Sequence, residues 1–239
     1  MGDDMGGLRE RKKRQMYERL SATAVELFLE RGFEQVTVAD VAAAVDVSKP
    51  TLFRYFPAKE DLVLHRLADH EGEAGRVVGE RPAGCSPLGA LRRHFLDGLE
   101  RHDPVTGLND EPEVLAFHRL LYGTPSLVAR LYAHVERDEA ALARALGSSE
   151  PGLRDRLAAG QIEAVRRVLA RENWRRVADG AEATALRPEA VEAARAAFAQ
   201  LEAGLPHLTT PPPERMKPGN KSHSVALSWR NDVLPTGTR

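Results

Sequence analysis

Residues 37–62, TVADVAAAVDVSKPTLFRYFPAKEDL, decide how this chain is read. Val38, Val41, Ala42 and Val45 recur at i, i+3, i+4 and i+7, the apolar stripe of one short helix. Thr37 stands just before that stripe and Asp40 three residues later. This is a capping-box-like start with Asp in place of the preferred Glu or Gln. Asp46 breaks the stripe, and Val47 is placed to plug a turn against the core. Ser48 then offers an N-cap for a second helix, with Pro50 in its first turn, where a missing N–H costs nothing. Leu52 and Phe56 face inward at i and i+4, which leaves Lys49, Thr51, Arg54 and Tyr55 pointing outward. A short helix held by its neighbour, with basic, hydroxyl and phenol groups at its exposed end, is what a DNA major groove accepts.

Working outward, a first long helix is predicted from about Gln15 to Arg31, with Leu20, Ala24, Leu27 and Phe28 on one face. Gly32 ends it as a C′ glycine and Phe33 packs back, closing a three-helix unit. Ahead of it, Arg9, Arg11, Lys12, Lys13 and Arg14 form a basic arm with Glu10 the acid among them. Such a run is often a solvated tail. Placed before a helix-turn-helix, it is read as tracking phosphates or the minor groove. Pro57 ends the second short helix, and a single connecting helix is expected over residues 58–78, carrying Leu62, Leu64 and Leu67.

The segment resembles the N-terminal helix-turn-helix of the TetR family of bacterial transcriptional regulators. The resemblance rests on Ala24, Leu27, Phe28, Gly32, Phe33, Thr37, Val41-Ala42 and Val47-Ser48, and continues through Thr51-Leu52-Phe53, Tyr55-Phe56, Lys59 and Leu62. It covers roughly residues 15–65 and is specific, because it fixes many residue types at many spacings. Two positions bear on the family pattern: Phe53 departs from it, standing where Tyr is most frequent, and Tyr55 stands where His or Tyr is frequent. The resemblance implies a dimeric repressor of a palindromic operator on double-stranded DNA, relieved by a small-molecule effector. It also implies that two C-terminal helices pair with their symmetry mates.

On that reading the DNA-facing set is Thr37, Ser48, Lys49, Pro50, Thr51, Arg54, Tyr55 and Lys59. Lys49 and Thr51 suit base edges, since lysine can donate to guanine O6/N7 and a threonine methyl can touch a thymine methyl. Tyr55, one turn on, is placed for a phosphate or a thymine methyl. Thr37 and Lys59 lie at helix starts, where backbone N–H groups favour phosphate.

The chain has 239 residues, 42% of them hydrophobic and 29% charged, ordinary for a globular protein. Its net charge of −1 does not exclude nucleic acid, because a DNA footprint needs only a local basic patch. No apolar run approaches membrane-spanning length, and MGDDMGGLRERKKR has no apolar stretch behind its charges, so neither a membrane segment nor a secretory signal is expected. One cysteine, Cys85, fits a reducing cytoplasm.

Beyond the Gly- and Pro-containing stretch 79–84 the pattern stays helical. Ser86-Pro87 starts a helix with Leu88, Leu91, Phe95 and Leu99, and DPVTGLNDEPE (103–113) reads as a polar loop. Val114 to Gly123, then Pro125 to Leu146, then Leu153 to about Trp174 are further helices. A last one is expected to begin near Pro188 and run to Leu205, its small residues Ala190, Ala194 and Ala197 allowing close approach across a two-fold axis. With no sustained period-two alternation the fold class is all-α. The expected domains are 8–57 (helix-turn-helix with basic arm), 58–78 (connecting helix), 79–208 (ligand-binding and dimerisation) and 209–239 (disordered tail, with Trp229 its one candidate anchor).

A pocket between helices is the usual small-molecule site of a bundle. Phe95, Phe117, His118, Leu121, Tyr122 and Tyr132 are the candidate lining residues, and His94 is placed near them. Residues 125–146 with Glu172-Asn173-Trp174 faintly resemble TetR-like regulators with an acyl-CoA-like ligand. This puts an acyl thioester, or another large amphipathic molecule, first among effectors. Enzyme readings find no support: there is no phosphate-binding glycine loop and no HExxH. His65 and His70 are five apart, off the spacing that puts two ligands on one helix face, so no metal or other cofactor is expected. The competing reading is a helical adaptor, or a ligand-binding protein without regulated DNA binding. It explains the bundle and leaves the outward Lys49, Thr51 and Tyr55 without a role.

Overall fold

The computed structural model describes residues 4–147 and 149–210, and among them every regular element is helical. Ten α-helices follow in order: α1 (Asp4–Arg31), α2 (Val38–Ala44), α3 (Lys49–Tyr55), α4 (Lys59–Leu64), α5 (Glu73–Gly79), α6 (Pro87–Glu100), α7 (Pro112–Gly123), α8 (Pro125–Leu146), α9 (Leu153–Ala178) and α10 (Ala183–Gly204). The predicted tail beyond residue 210, with Trp229, lies outside the described residues.

Two cores form. The first belongs to the head: Leu20, Ala24, Phe28, Val41, Val45, Leu52, Phe56 and Leu62 are buried together, the residues that the helical stripes select. It also takes in Phe117, Leu121 and Leu127 from α7 and α8, so the head is seated on the body by shared apolar packing. The second core joins α5, α6, α8, α9 and α10 around Leu91, Phe95, Leu142, Ile162 and Phe198.

Four expectations are corrected. The first helix does not start near Gln15: α1 runs through the basic arm from Asp4, so Arg9 to Arg14 are exposed positions of one long helix. The connecting helix is not continuous. α4 stops at Leu64, residues His65–His70 tighten into a 3₁₀ turn, and Gly72, with a left-handed φ of 70°, is the N-cap from which α5 begins. The polar loop 103–113 is packed at its centre, while Pro104 and residues 110–113 stay exposed. Leu108, Thr106 and Asn109 are buried, and the Asn173 side chain donates to the Thr106 carbonyl at 3.0 Å. Finally, α10 begins five residues before Pro188, which sits exposed within the helix. Ala190 and Ala194 of this helix are buried in the protomer's own core and are not available to a second copy.

The two pieces of the connector are anchored to different bodies. Ser21 of α1 donates to the Leu62 carbonyl at 2.7 Å, fixing α4 to the head. Gly72 donates its N–H to Asp138 of α8 at 2.7 Å. At Gly75 an added Cβ would lie 3.0 Å from the Ala141 carbonyl oxygen, so α5 lies directly against the α8 backbone. The 3₁₀ turn spans the gap between them.

Candidate nucleic-acid interface and effector cavity

In the head, polar residues near one another in sequence set the helix ends. The Thr37 N–H and hydroxyl both donate to Asp40 Oδ2 at 2.7 Å, and the Asp40 N–H donates back to Thr37 Oγ1 at 3.2 Å. These bonds hold the Asp40 carboxyl below its usual range. The turn that follows needs a left-handed residue, and Asp46 supplies it with φ 57°. Val47 then donates its N–H to the Ala42 carbonyl at 2.9 Å. Ser48 caps α3 by accepting from the Thr51 N–H at 3.2 Å, and its hydroxyl is 2.8 Å from that of Thr51.

With Leu52 and Phe56 buried, α3 turns Ser48, Lys49, Pro50, Phe53 and Arg54 to solvent. Three predicted contacts sit differently. Thr51 is half-buried with its hydroxyl engaged by Ser48, leaving its methyl as the group that can reach a base. Tyr55 is half-buried, its ring edge-on to Tyr17 at 4.9 Å, so it packs as well as points outward. Lys59 is turned inward: its ammonium donates to the Phe33 carbonyl and lies 4.1 Å from the Phe33 ring centroid. It clamps the end of α1 to α4 and is not a free phosphate ligand. Phe53, in contrast, is 40% exposed beside Lys49, an apolar surface available to sugar or thymine methyl.

Beneath the 3₁₀ turn lies a cavity of about 190 Å³. Phe95, His118, Leu121 and Tyr122 line it, as the sequence predicts. Phe117 does not; it is buried in the head core with the Arg66 guanidinium 5.6 Å from its ring. Tyr132 does not either. It is 57% exposed and borders a neighbouring cavity of about 210 Å³, which shares Tyr122, Leu131, Val135 and Arg167 with the first.

One wall of the first cavity is ionic, and sequence reading misses it. Glu73 meets His70 and His94 at 3.4 Å each and Arg166 at 3.6 Å, while Arg166 also donates to Glu163 at 2.9 Å. Burial alone would raise the Glu73 carboxyl; the hydrogen bonds from the two imidazoles outweigh it and hold the group far below the carboxylate range. Glu163 and Asp138 are pushed up by burial. The facing wall is aromatic: Tyr122 and Trp174 lie 4.8 Å apart with His118 beside them. Burial lowers the His118 pKa to about 4, so the ring is neutral at pH 7. His118 Nδ1 and Trp174 Nε1 are buried without a hydrogen-bond partner. The i, i+4, i+8 spacing of Arg166, Ala170 and Trp174 on α9 is the one sequence signal that could have revealed this wall.

Among the described residues no group of three or more His, Cys, Asp and Glu is placed to hold a metal ion. No helix among them is long and apolar enough to cross a membrane.

Comparison with known proteins agrees with this geometry. Residues 20–65 match the family of bacterial regulatory proteins described as the tetR family. The chain is 35% identical over 173 residues to the HTH-type transcriptional regulator TcmR of Streptomyces glaucescens, covering 70% of this chain and 76% of that protein. It is 28% identical over 160 residues to the HTH-type transcriptional repressor KstR of Rhodococcus jostii (strain RHA1), covering 67% and 71%. Among solved structures, native NalD of Pseudomonas aeruginosa, the secondary repressor of the MexAB-OprM multidrug efflux pump, aligns with a TM-score of 0.51 at 19% identity. That alignment covers 77% of this chain and 97% of NalD, and shows a common fold. With its helix-turn-helix matched and its body carried along in the TcmR alignment, the chain belongs to the TetR family, as a DNA-binding transcriptional regulator.

Proposed function

We propose that this chain is a homodimeric repressor that holds a palindromic operator through α3 and is released by an amphipathic effector bound beneath the connector. The observation that carries the DNA half is the outward set Lys49, Phe53 and Arg54 on a capped helix whose other face is buried. KstR and NalD are named as repressors, which supports the sign of regulation.

The effector half rests on the cavity's position. Leu67, Leu121 and Leu131 line the cavity and also pack against the head core. A ligand that enlarges the cavity presses on the 3₁₀ turn through Leu67 and His70, and the turn leads directly into α4, which is fixed to the head. Release requires tighter effector binding to the DNA-incompetent form. A coupling of about 1–3 kcal/mol gives roughly a five- to hundredfold loss of operator affinity.

Of the two effector classes, an acyl-CoA-like ligand and another large amphipathic molecule, the wall chemistry favours the second. Four carboxylates (Glu71, Glu73, Asp138 and Glu163) against two guanidinium groups (Arg166 and Arg167) border the cavity, an acidic balance that disfavours a nucleotide's phosphates. At about 190 Å³ the cavity is below the ~300–1,000 Å³ usual for ligand sites. An acyl or aryl end reaching on into the neighbouring cavity past Tyr122 suits both constraints.

Dimerisation is assigned to the outer faces of α9 and α10. Leu153, Leu157 and Val168 are 66%, 57% and 63% exposed on α9, and Ala193, Ala196 and Ala199 are exposed on α10. Pairing these faces sets two α3 helices one DNA turn, or a multiple of it, apart. Leu157→Asp should sediment as a monomer at micromolar concentration; an unchanged dimer would place the interface elsewhere. Calorimetric titration of an effector, chosen from neutral amphipathic compounds by thermal shift, should give weaker binding in the presence of operator. Equal affinity with and without operator would end the release mechanism.

A further inference from the structure

The first turns of α1 project beyond the head as a charged spur. Packing onto the head core starts at Met16 and Tyr17, while residues 9–15 are exposed. The helical stretch before Met16 is therefore about 18 Å long at 1.5 Å per residue. Arg9, Arg11, Lys12, Lys13 and Arg14 stand on it. Their one ion pair among the described residues is Lys13 with Glu10 at 4.0 Å, a surface pair of little consequence. Residues 9–15 carry no apolar face to insert into a bilayer.

Its direction follows from Tyr17. That ring meets Tyr55 at 4.9 Å, and the Arg54 guanidinium lies 5.8 Å from the Tyr55 ring centroid. Lys13 and Arg14 precede Tyr17 by four and three residues and so share its face, one turn closer to the N-terminus. Arg54 of α3 and Lys13 and Arg14 of the spur thus form one basic strip that begins at the C-terminal end of the recognition helix, and Arg9 continues it one turn further along α1.

We infer that this spur is a phosphate rail: a second, sequence-independent DNA contact that runs along the backbone flanking the site read by α3. A flexible arm could enter the minor groove. A helix about 10–12 Å across with its side chains cannot enter a groove about 6 Å wide. The inference rests on the DNA-binding reading of α3 and adds a contact to it.

The test compares the full chain with the variant Arg9→Gln, Arg11→Gln, Lys12→Gln, Arg14→Gln, in which glutamine keeps the helix propensity. Circular dichroism should show the same helicity in both. Binding to a 40-bp duplex of arbitrary sequence is followed by fluorescence anisotropy over a salt series. Removing a single phosphate-binding cation makes the slope of log K against log salt shallower by about 0.9. The variant should therefore show a slope shallower by at least about 2 and an affinity at least about tenfold weaker, while its preference for one selected sequence over another is unchanged. An unchanged slope would overturn the rail. A fall in wild-type affinity on adding the minor-groove ligand netropsin, absent in the variant, would also overturn it by showing a groove-inserted arm. A wild-type chain with no salt-dependent duplex binding would sink the DNA reading itself.

Discussion

The head and the body are both helical, yet their polar contacts differ in reach. In the head the bonds that set the helices join residues three apart: Thr37 with Asp40, Ser48 with Thr51, Ala58 with Asp61. In the body, beside local caps such as Ser86 with Gly89, further bonds cross the chain: Gly72 to Asp138, Glu71 to Arg137, Thr106 to Asn173, Asp110 to Ala183. A motif written in neighbouring residues can be recognised from sequence, and a site assembled from distant ones cannot. The same difference separates the two proposed sites: the local motif forms the surface proposed for DNA, and the long-range contacts enclose the cavity proposed for the effector.

If the body depends on long-range closeness, one added methyl at a distant crossing should cost more than a lost cap in the head. Gly107, at φ 72°, is such a crossing: an added Cβ would overlap the Ala170 carbonyl on α9. Gly107→Ala should destabilise the chain by about 3 kcal/mol or more, because a left-handed backbone and a steric clash act together. Urea unfolding measures this. A change under about 1 kcal/mol would mean that the 103–109 loop yields freely, and the contrast between the regions would fail.

A second prediction concerns His118. With a folded pKa near 4 against the ordinary 6.5, the unfolded chain binds more protons between those values. Stability from the neutral buried ring is complete above about pH 6.5 and is lost as pH falls toward 4. The loss between pH 7 and pH 5 should be about 2 kcal/mol. His70, whose pKa is raised by its bond to Glu73, acts with the opposite sign, so the readout is the difference between wild type and His118→Phe. The substituted chain should lose about 2 kcal/mol less over that interval. Equal losses would show that His118 is protonated in the folded chain.

The smallest effect belongs to the head. Thr37→Ala removes one capping box and should cost about 1 kcal/mol in unfolding free energy. A cost matching that of Gly107→Ala would erase the distinction.

How much was legible follows the same division. Both short helices of the head, their Thr37 and Ser48 caps and the Gly32 stop are visible in residue types alone. The inward turn of Lys59 is not, because its partner carbonyl is 26 residues away. In the body, Phe95, His118, Leu121 and Tyr122 could be named as aromatic and apolar groups on neighbouring helices. Phe117 and Tyr132 could not be sorted from them, since one turn of helix decides whether a ring faces cavity, core or solvent. The Glu73, Glu163 and Arg166 cluster gave no sign of itself: each residue reads as surface charge until α5 and α9 are brought together. The break between α4 and α5 was hidden likewise, since Leu62, Leu64 and Leu67 fit a continuous helix as well as an interrupted one.

On the proposed function, α3 reads DNA sequence through its outward side chains. Selecting duplexes from a random pool with the full chain, then measuring affinity of wild type and Lys49→Ala for the enriched site, tests it most directly. A palindrome with half-sites one turn or a multiple of it apart should be enriched. The variant should lose about 1–3 kcal/mol, with relaxed preference at the contacted base and unchanged thermal stability. No enriched sequence, or equal affinity of the two chains for the same site, would contradict it.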